Sequence, residues 1–189
     1  ADLIFSKMDL IEPYLKDRKI QIIFSGKAHP LDDKGKDLVQ RIVKMTEKYP
    51  QSVVFLEDYS IEIAKMMTRG VDIWLNNPRR PKEASGTSGM KAAMNGVLNL
   101  SILDGWWPEA CQHGMNGWQF GDGYVGDNQD KHDRDSLYRV LLNEVVPTYY
   151  DNKPQWEEMM NNSIESTYEE FSARKMIENY YMKMYRKIK

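Results

Sequence analysis

Cys111 is the only cysteine in 189 residues. No intrachain disulfide can form, and a reducing, cytoplasmic setting is the simplest expectation. Long apolar runs are also missing, and no stretch nears the roughly 20 residues that span a bilayer. No secretory signal opens the sequence. Neither sign of charge prevails: 26 Lys and Arg stand against 28 Asp and Glu, for a formal net charge of −2. That balance gives no reason to expect nucleic acid or an anionic membrane as a partner. The acidic run Asp122, Asp127, Asp130, Asp133 and Asp135 lacks the glycine and terminal glutamate of a calcium loop. Turn and N-cap duty is its expected role, and no metal site is assigned. Internal repeats, low-complexity segments and a convincing linker are absent as well, so a single domain is expected over residues 1–189. The sequence opens at Ala1 without Met, directly in a helical pattern of Ile4, Met8 and Ile11, which reads as the start of a fragment.

What is present is an alternation. Ile20–Phe24 is a short apolar run ending at Ser25-Gly26, a buried strand and its turn. Helical spacing follows from Asp32 to Lys48, carried by Leu38, Ile42 and Met45. Ser52–Leu56 is a second strand, Ser60–Thr68 a helix stopped by Gly70, and Val71–Leu75 a third strand. A polar loop runs from Asn76 to Ser88, then a short helix at Gly89–Met94 and a fourth strand at Val97–Ile102. Trp118–Phe120 suggests a fifth. Strand and helix alternating at this spacing imply βαβ units, hence an α/β fold with a parallel sheet and helices on both faces.

From residue 132 onward a helical tail is expected. One helix runs over Asp133–Val146 and ends at Pro147. Another has Pro154 in its first turn and reaches about Phe171. Ser172 caps a last helix carrying Ile177, Tyr180, Tyr181 and Met184. That Met- and Tyr-rich stripe reads as core, packing against the sheet or against a domain outside this chain.

In parallel sheets a ligand sits beyond the carboxyl ends of the strands, where loops lead into helices. The segment Pro81-Lys82-Glu83-Ala84-Ser85-Gly86-Thr87-Ser88-Gly89-Met90-Lys91 lies in such a place. Glycines permit close backbone approach. Free N–H groups at a helix start, with the hydroxyls of Ser85, Thr87 and Ser88, suit a phosphate. Lys91 could contribute a cation or, if desolvated, a Schiff-base amine. Glu83 could accept from sugar hydroxyls. The plain alternative is a capped helix with a solvated lysine, and composition alone leaves both open.

Glu83-Ala84-Ser85-Gly86-Thr87, then Met90-Lys91, Asn95-Gly96 and Leu103-Asp104-Gly105, together resemble the signature of the glycogen and maltodextrin phosphorylases, the α-glucan phosphorylase family. The likeness runs from about Ile20 to Glu109 and looks like the shorter bacterial and archaeal branch. It implies that this chain is the Rossmann-like C-terminal half of a two-domain glycosyltransferase fold of the GT-B type. It also implies that Lys91 carries pyridoxal 5′-phosphate, with Thr87, Ser88 and Gly89 near the cofactor phosphate. Glu83, Ser85 and Gly86 would contact the glucosyl unit. His29, in Gly26-Lys27-Ala28-His29-Pro30, would lie at the cleft edge in a substrate or a structural role.

Two departures stand out. Many family members have Gly-Asn where Ser88-Gly89 stand, and Ser60 follows Glu57-Asp58-Tyr59 where many have a phosphate-binding arginine. Arg79 and Arg80 are the expected replacements. The implied reaction is phosphorolysis of an α-1,4-glucan by inorganic phosphate, giving glucose 1-phosphate with retention. No catalytic residue is assigned within this segment, since the N-terminal domain and a basic stretch would lie upstream. Inactivity of the isolated chain is therefore expected. Whether it retains cofactor alone, and whether it forms a homo-oligomer, stay open. A nucleotide-sugar-dependent glucan synthase of the same fold, and a non-catalytic sugar- or nucleotide-binding module, remain as alternatives.

Trp106 and Trp107 read as core or interface packing with sugar stacking as the other use, and Glu109 as a sugar or loop contact. His113 and His132 read as surface or packing residues, and Cys111 as a packed thiol.

Overall fold

The computed structural model describes residues 1–186. The chain divides into two compact units, residues 1–67 and 68–189.

The first unit opens with a 3-10 turn at Asp2–Phe5 and α1 at Met8–Lys16. Strand β1 (Ile22–Ser25) pairs in parallel with β2 (Val53–Leu56), Ile22 opposite Val53. Between them runs α2, Asp33–Lys48. It starts where expected because the Asp32 carboxylate accepts the Gly35 N–H at 2.9 Å, an N-cap bond. Ile11, Leu15, Ile42 and Val53 form the buried apolar centre. Ser52 is buried beside them, its hydroxyl donating to the Leu15 carbonyl at 2.6 Å. Ile23 and Val54, neighbours in the register, project from one sheet face and stay about two-fifths exposed. Helix α3 spans Ile61–Gly70 and crosses the boundary between the units.

The second unit is built on three parallel strands in the order β3 (Ile73–Asn76), β4 (Leu98–Ile102), β5 (Gly117–Phe120). β4 is central and buried at every residue. Period-two alternation puts Leu98, Leu100 and Ile102 on one face and Asn99 and Ser101 on the other. Helix α4 (Thr87–Ala93) and helix α8 (Lys153–Tyr168) pack on β4, while α6 (Gln129–Val140) packs on β5. The α/β class with parallel strands, flanking helices and a helical C-terminal part is therefore as expected. The strands pair as two separate sheets, one in each unit.

Aromatic rings fill the second unit. Trp106 and Trp107 are 4% and 1% exposed. Phe171 meets Trp106 edge-on at 5.1 Å. Trp156 packs against Trp118 and Tyr149. A four-residue helix, α5 (Trp107–Ala110), has no signal in the sequence pattern and is held by this packing.

Two features of the tail differ from expectation, and of the two surfaces expected for the Met- and Tyr-rich stripe one is excluded. Pro147 does not end a helix. α6 passes through a π-helical turn at Leu141–Val145 into α7 (Val146–Asp151), whose first turn contains Pro147. Val140, Leu141, Val145 and Val146 all keep right-handed helical angles, so the chain stays helical throughout, and Pro147, which has no N–H to donate to the preceding turn, follows directly on the π turn. The stripe on the last helix, α9 (Ala173–Tyr180), is not core of this chain. Ile177 and Tyr180 are 62% and 49% exposed, and Tyr181 and Met184 in the following π turn are as open. Asp133 is neither a cap nor a turn residue. It lies inside α6, 4% exposed, and burial pushes its carboxyl above the usual range. The Ser172 cap forms as the sequence implies, accepting the Lys175 N–H, and Asn152 caps α8 by accepting the Gln155 N–H. Among the described residues, no helix is long and apolar enough to cross a membrane.

Candidate active site

β3 ends at Asn76, and the chain then forms a ten-residue loop, 77–86, before α4 begins at Thr87. Gly86 takes a left-handed conformation (φ +82°) at the helix start. No side chain caps the helix there. Thr87 and Ser88 face solvent, Gly89 is buried, and Lys91 emerges on the exposed side of the second turn.

The loop is clamped against the turn that follows β4. The Asp104 carboxylate accepts the Glu83 N–H at 2.9 Å, and the Ser85 carbonyl accepts the Trp106 N–H at 2.9 Å. Gly105, at φ +58°, lies so close that a Cβ would sit 2.4 Å from the Ser85 carbonyl oxygen. Glu83 curls over Gly86, its Oε1 3.2 Å from where a Cβ would be, with the Trp106 ring 3.5 Å from the same point. Glu83, Ser85 and Gly86 thus form one ordered edge, joined in sequence to the helix carrying Thr87, Ser88, Gly89 and Lys91. Trp106 is core and also the wall of this edge.

Arg79 and Arg80 stand at the start of the same loop. Arg79 makes a fork-to-fork pair with Asp130, both bonds at 2.7 Å. The guanidinium bond holds the Asp130 carboxyl below the usual carboxylate range. Arg80 donates from Nη1 to the Gly123 carbonyl at 3.0 Å, and Gln129 donates to the Arg80 carbonyl at 3.2 Å. The 122–130 segment therefore grips both arginines from the side.

His29 belongs to the first unit. It is exposed, and its Nδ1 accepts the Leu31 N–H at 3.1 Å. Ser60, also in that unit, caps α3: its hydroxyl accepts from Ile63 and its carbonyl from Ala64. Glu109 is exposed. His113 bonds Glu144 at 2.7 Å and accepts from Gln119 at 3.2 Å. His132 stacks on Tyr124 at 4.5 Å. Cys111 packs beside the tryptophans, and burial pushes its thiol up to about 12.

Asp104, Trp106 and Asn99 organise the site; Asp104 belongs to the Leu103-Asp104-Gly105 motif and Trp106 reads as packing, whereas Asn99 belongs to no motif. Asn99 donates from its amide to the Gly89 carbonyl at 3.1 Å. The polar residue in the apolar run Val97–Ile102 was its only trace in the sequence.

An uncapped helix start rich in hydroxyls, with an exposed amine in the next turn, suits a phosphate-bearing aldehyde. The N–H groups and hydroxyls would take the phosphate and the amine the carbonyl carbon. The residues present therefore fit pyridoxal phosphate. A parallel α/β unit with its candidate ligand loop beyond a strand's carboxyl end defines a Rossmann-like unit.

Comparison with known proteins is narrower. Residues 7–121 match the carbohydrate phosphorylase family model. The chain is 46% identical to a glycogen phosphorylase of Aquifex aeolicus over 99% of its length, covering 28% of that protein. It is 44% identical to a maltodextrin phosphorylase of Thermococcus litoralis, again over 99% of its length and 23% of that protein. A glycogen phosphorylase of Mycobacterium tuberculosis is 42% identical over 91% of the chain and 21% of that protein. The chain belongs to the carbohydrate phosphorylase family. It spans about a quarter of the length of these relatives.

Proposed function

We propose that this chain is the cofactor-binding part of a longer, cytoplasmic α-1,4-glucan phosphorylase. The whole protein would transfer a glucosyl unit from the glucan end to inorganic phosphate, giving glucose 1-phosphate with retention. The observation that carries this reading is the clamp of the Glu83–Gly86 edge onto Asp104, Gly105 and Trp106, directly before the Lys91 helix.

Each residue has a task that its chemistry suits. Lys91 anchors pyridoxal phosphate, with Thr87, Ser88 and Gly89 around the cofactor phosphate. When bound, the cofactor supplies a phosphate group that acts as an acid–base partner close to the substrate phosphate. Glu83 is an acceptor for sugar hydroxyls, and Ser85 and Gly86 present backbone and a small hydroxyl to the same sugar. Two phosphates in proximity repel, and cations must offset that repulsion. Arg80 and Arg79, at the start of the same loop, are the candidates on this chain, and Arg79 would exchange its pairing with Asp130 for the phosphate. His29 keeps the substrate or structural part that the family likeness implies. The chain alone is inactive, because the other part of the longer protein supplies the rest of the site.

The deciding experiment uses the full-length protein with added pyridoxal phosphate. A cofactor absorbance band absent from Lys91→Ala, together with glucose 1-phosphate release from maltodextrin, is the expected result. No band would overturn this reading; turnover of UDP- or ADP-glucose would favour a nucleotide-sugar-dependent synthase, and sugar binding without either, a non-catalytic binding module.

A further inference from the structure

A buried strand packed between helices has no need of an amide. Asn99 nevertheless sits in the middle of β4, 1% exposed, with every residue of the strand buried around it. A buried amide is unfavourable unless its polar atoms are bonded. Here the balance is uneven: Nδ2 donates to the Gly89 carbonyl at 3.1 Å, while Oδ1 is buried without a hydrogen-bond partner among the described residues. The satisfied half of the side chain reaches helix α4.

Gly89 is shaped to that contact. A Cβ there would lie 2.7 Å from Asn99 Oδ1 and 2.9 Å from the indole nitrogen of Trp106. Nothing in the Gly89 backbone angles demands glycine, so close approach is the reason for it. Helix α4 has only seven residues. A helix this short is not stable on its own, and its orientation is set by what holds it. Ala92 and Ala93, both fully buried, seat it by non-directional packing. The Asn99 bond is directional. Two residues on, Lys91 lies roughly 200° around the helix from Gly89. A roll of α4 about the Asn99 contact therefore swings the Lys91 amine through a wide arc.

We infer that Asn99 is a positioning residue for Lys91, fixing the roll of α4 through the Gly89 carbonyl. This rests on the cofactor reading of Lys91. Asn99 touches no substrate; it acts through the helix.

The test uses the full-length protein and Asn99→Leu, which keeps the branching at Cγ and removes the amide. Without cofactor, amide hydrogen exchange over Met90–Met94 should quicken at least tenfold, with β5 amides unchanged. With cofactor, the variant should still show the absorbance band, but its visible circular dichroism should drop at least twofold. Its kcat should fall tenfold or more, with glucan KM within twofold. Unchanged exchange in α4, or wild-type dichroism and kcat in the loaded variant, overturns the proposal. If Asn99→Leu does not fold, Gly89→Ala disturbs the same joint from the helix side. The same loss of dichroism and kcat then supports the role, and wild-type values overturn it. Absence of any band in the wild-type protein sinks the cofactor reading and this role together. A normal band with unchanged α4 exchange sinks only the role of Asn99.

Discussion

The Asp104 carboxylate accepts the backbone N–H of Glu83 at 2.9 Å, across 21 residues of sequence. Asp104 is 8% exposed, so water is a poor substitute for it. Removing the acceptor leaves a part-buried N–H unpaired, which costs about 1–3 kcal/mol. Asp104→Ala should lower stability by that amount in a urea melt. It should also raise the glucan KM of the full-length protein, because Glu83 loses its fixed direction. Asp104→Asn keeps an oxygen that can accept and should fall between the two. An Ala variant as stable as wild type would show that the bond is not holding the loop.

Gly105 and Gly70 make a matched pair. A Cβ at Gly105 meets the Ser85 carbonyl oxygen at 2.4 Å, and the backbone is left-handed there. The conformation alone costs about 1–2 kcal/mol for an L-residue. The clash adds to it, since backbone cannot swing aside as a side chain can. Gly105→Ala should therefore lose more than about 2 kcal/mol. Gly70 has nothing within 4 Å of its would-be Cβ and an ordinary φ. Gly70→Ala should stay within about 0.5 kcal/mol of wild type or gain slightly. Equal effects of the two changes in thermal denaturation would contradict this account of the loop.

The alternation of strands and helices was legible because it is written in short apolar runs and caps. Val53–Leu56 is an unbroken apolar stretch, Leu98–Ile102 alternates apolar with polar residues, and Asp32 and Ser172 bond just where a cap is needed. The Glu83–Lys91 segment was legible as a motif. Its support was not. Asp104 with Glu83, and Arg79 with Asp130, join residues 21 and 51 apart, and no local pattern encodes such an approach. Pro147 misled because a break in helical pattern looks the same whether a helix ends or passes through a π turn. The Ile177 and Tyr180 stripe has the spacing of a core face, and spacing does not say whether the covering surface belongs to the same chain. Asp133 looked like its acidic neighbours, and only packing against the Gly121 turn buries it.

Cys111 is partly enclosed by the tryptophan cluster, and burial pushes its thiol up to about 12. The reactive species is the thiolate. Against an ordinary thiol near 8.5, the thiolate fraction at neutral pH is reduced on the order of a thousandfold. Alkylation by iodoacetamide in the native protein should be slower than for free cysteine by at least two orders of magnitude. It should reach the ordinary rate in denaturant. Rapid native labelling at pH 7 would place the sulfur in a more open setting than this packing allows.

The Arg79–Asp130 pair yields a signed prediction. The hydrogen bond from Arg79 depresses the Asp130 carboxyl in the folded state. The unfolded chain then binds the proton more readily, so the pair stabilises the fold above the ordinary carboxylate range. That stabilisation disappears as pH falls through the depressed folded value. Both side chains are well over half exposed, so the pair is worth only about 0–1 kcal/mol. The better readout is titration itself. In Arg79→Gln the Asp130 carboxyl, followed by carbon-13 NMR, should move upward toward an ordinary aspartate. The same pair also tests the phosphate role of Arg79. Asp130→Asn removes the charge that Arg79 pairs with and keeps the guanidinium, and in the full-length protein the phosphate KM should then fall severalfold. Arg79→Gln should raise it. If both variants left phosphate KM at the wild-type value, Arg79 would be a structural tie between the 77–86 loop and α6, and Arg80 would remain as the candidate cation on that loop.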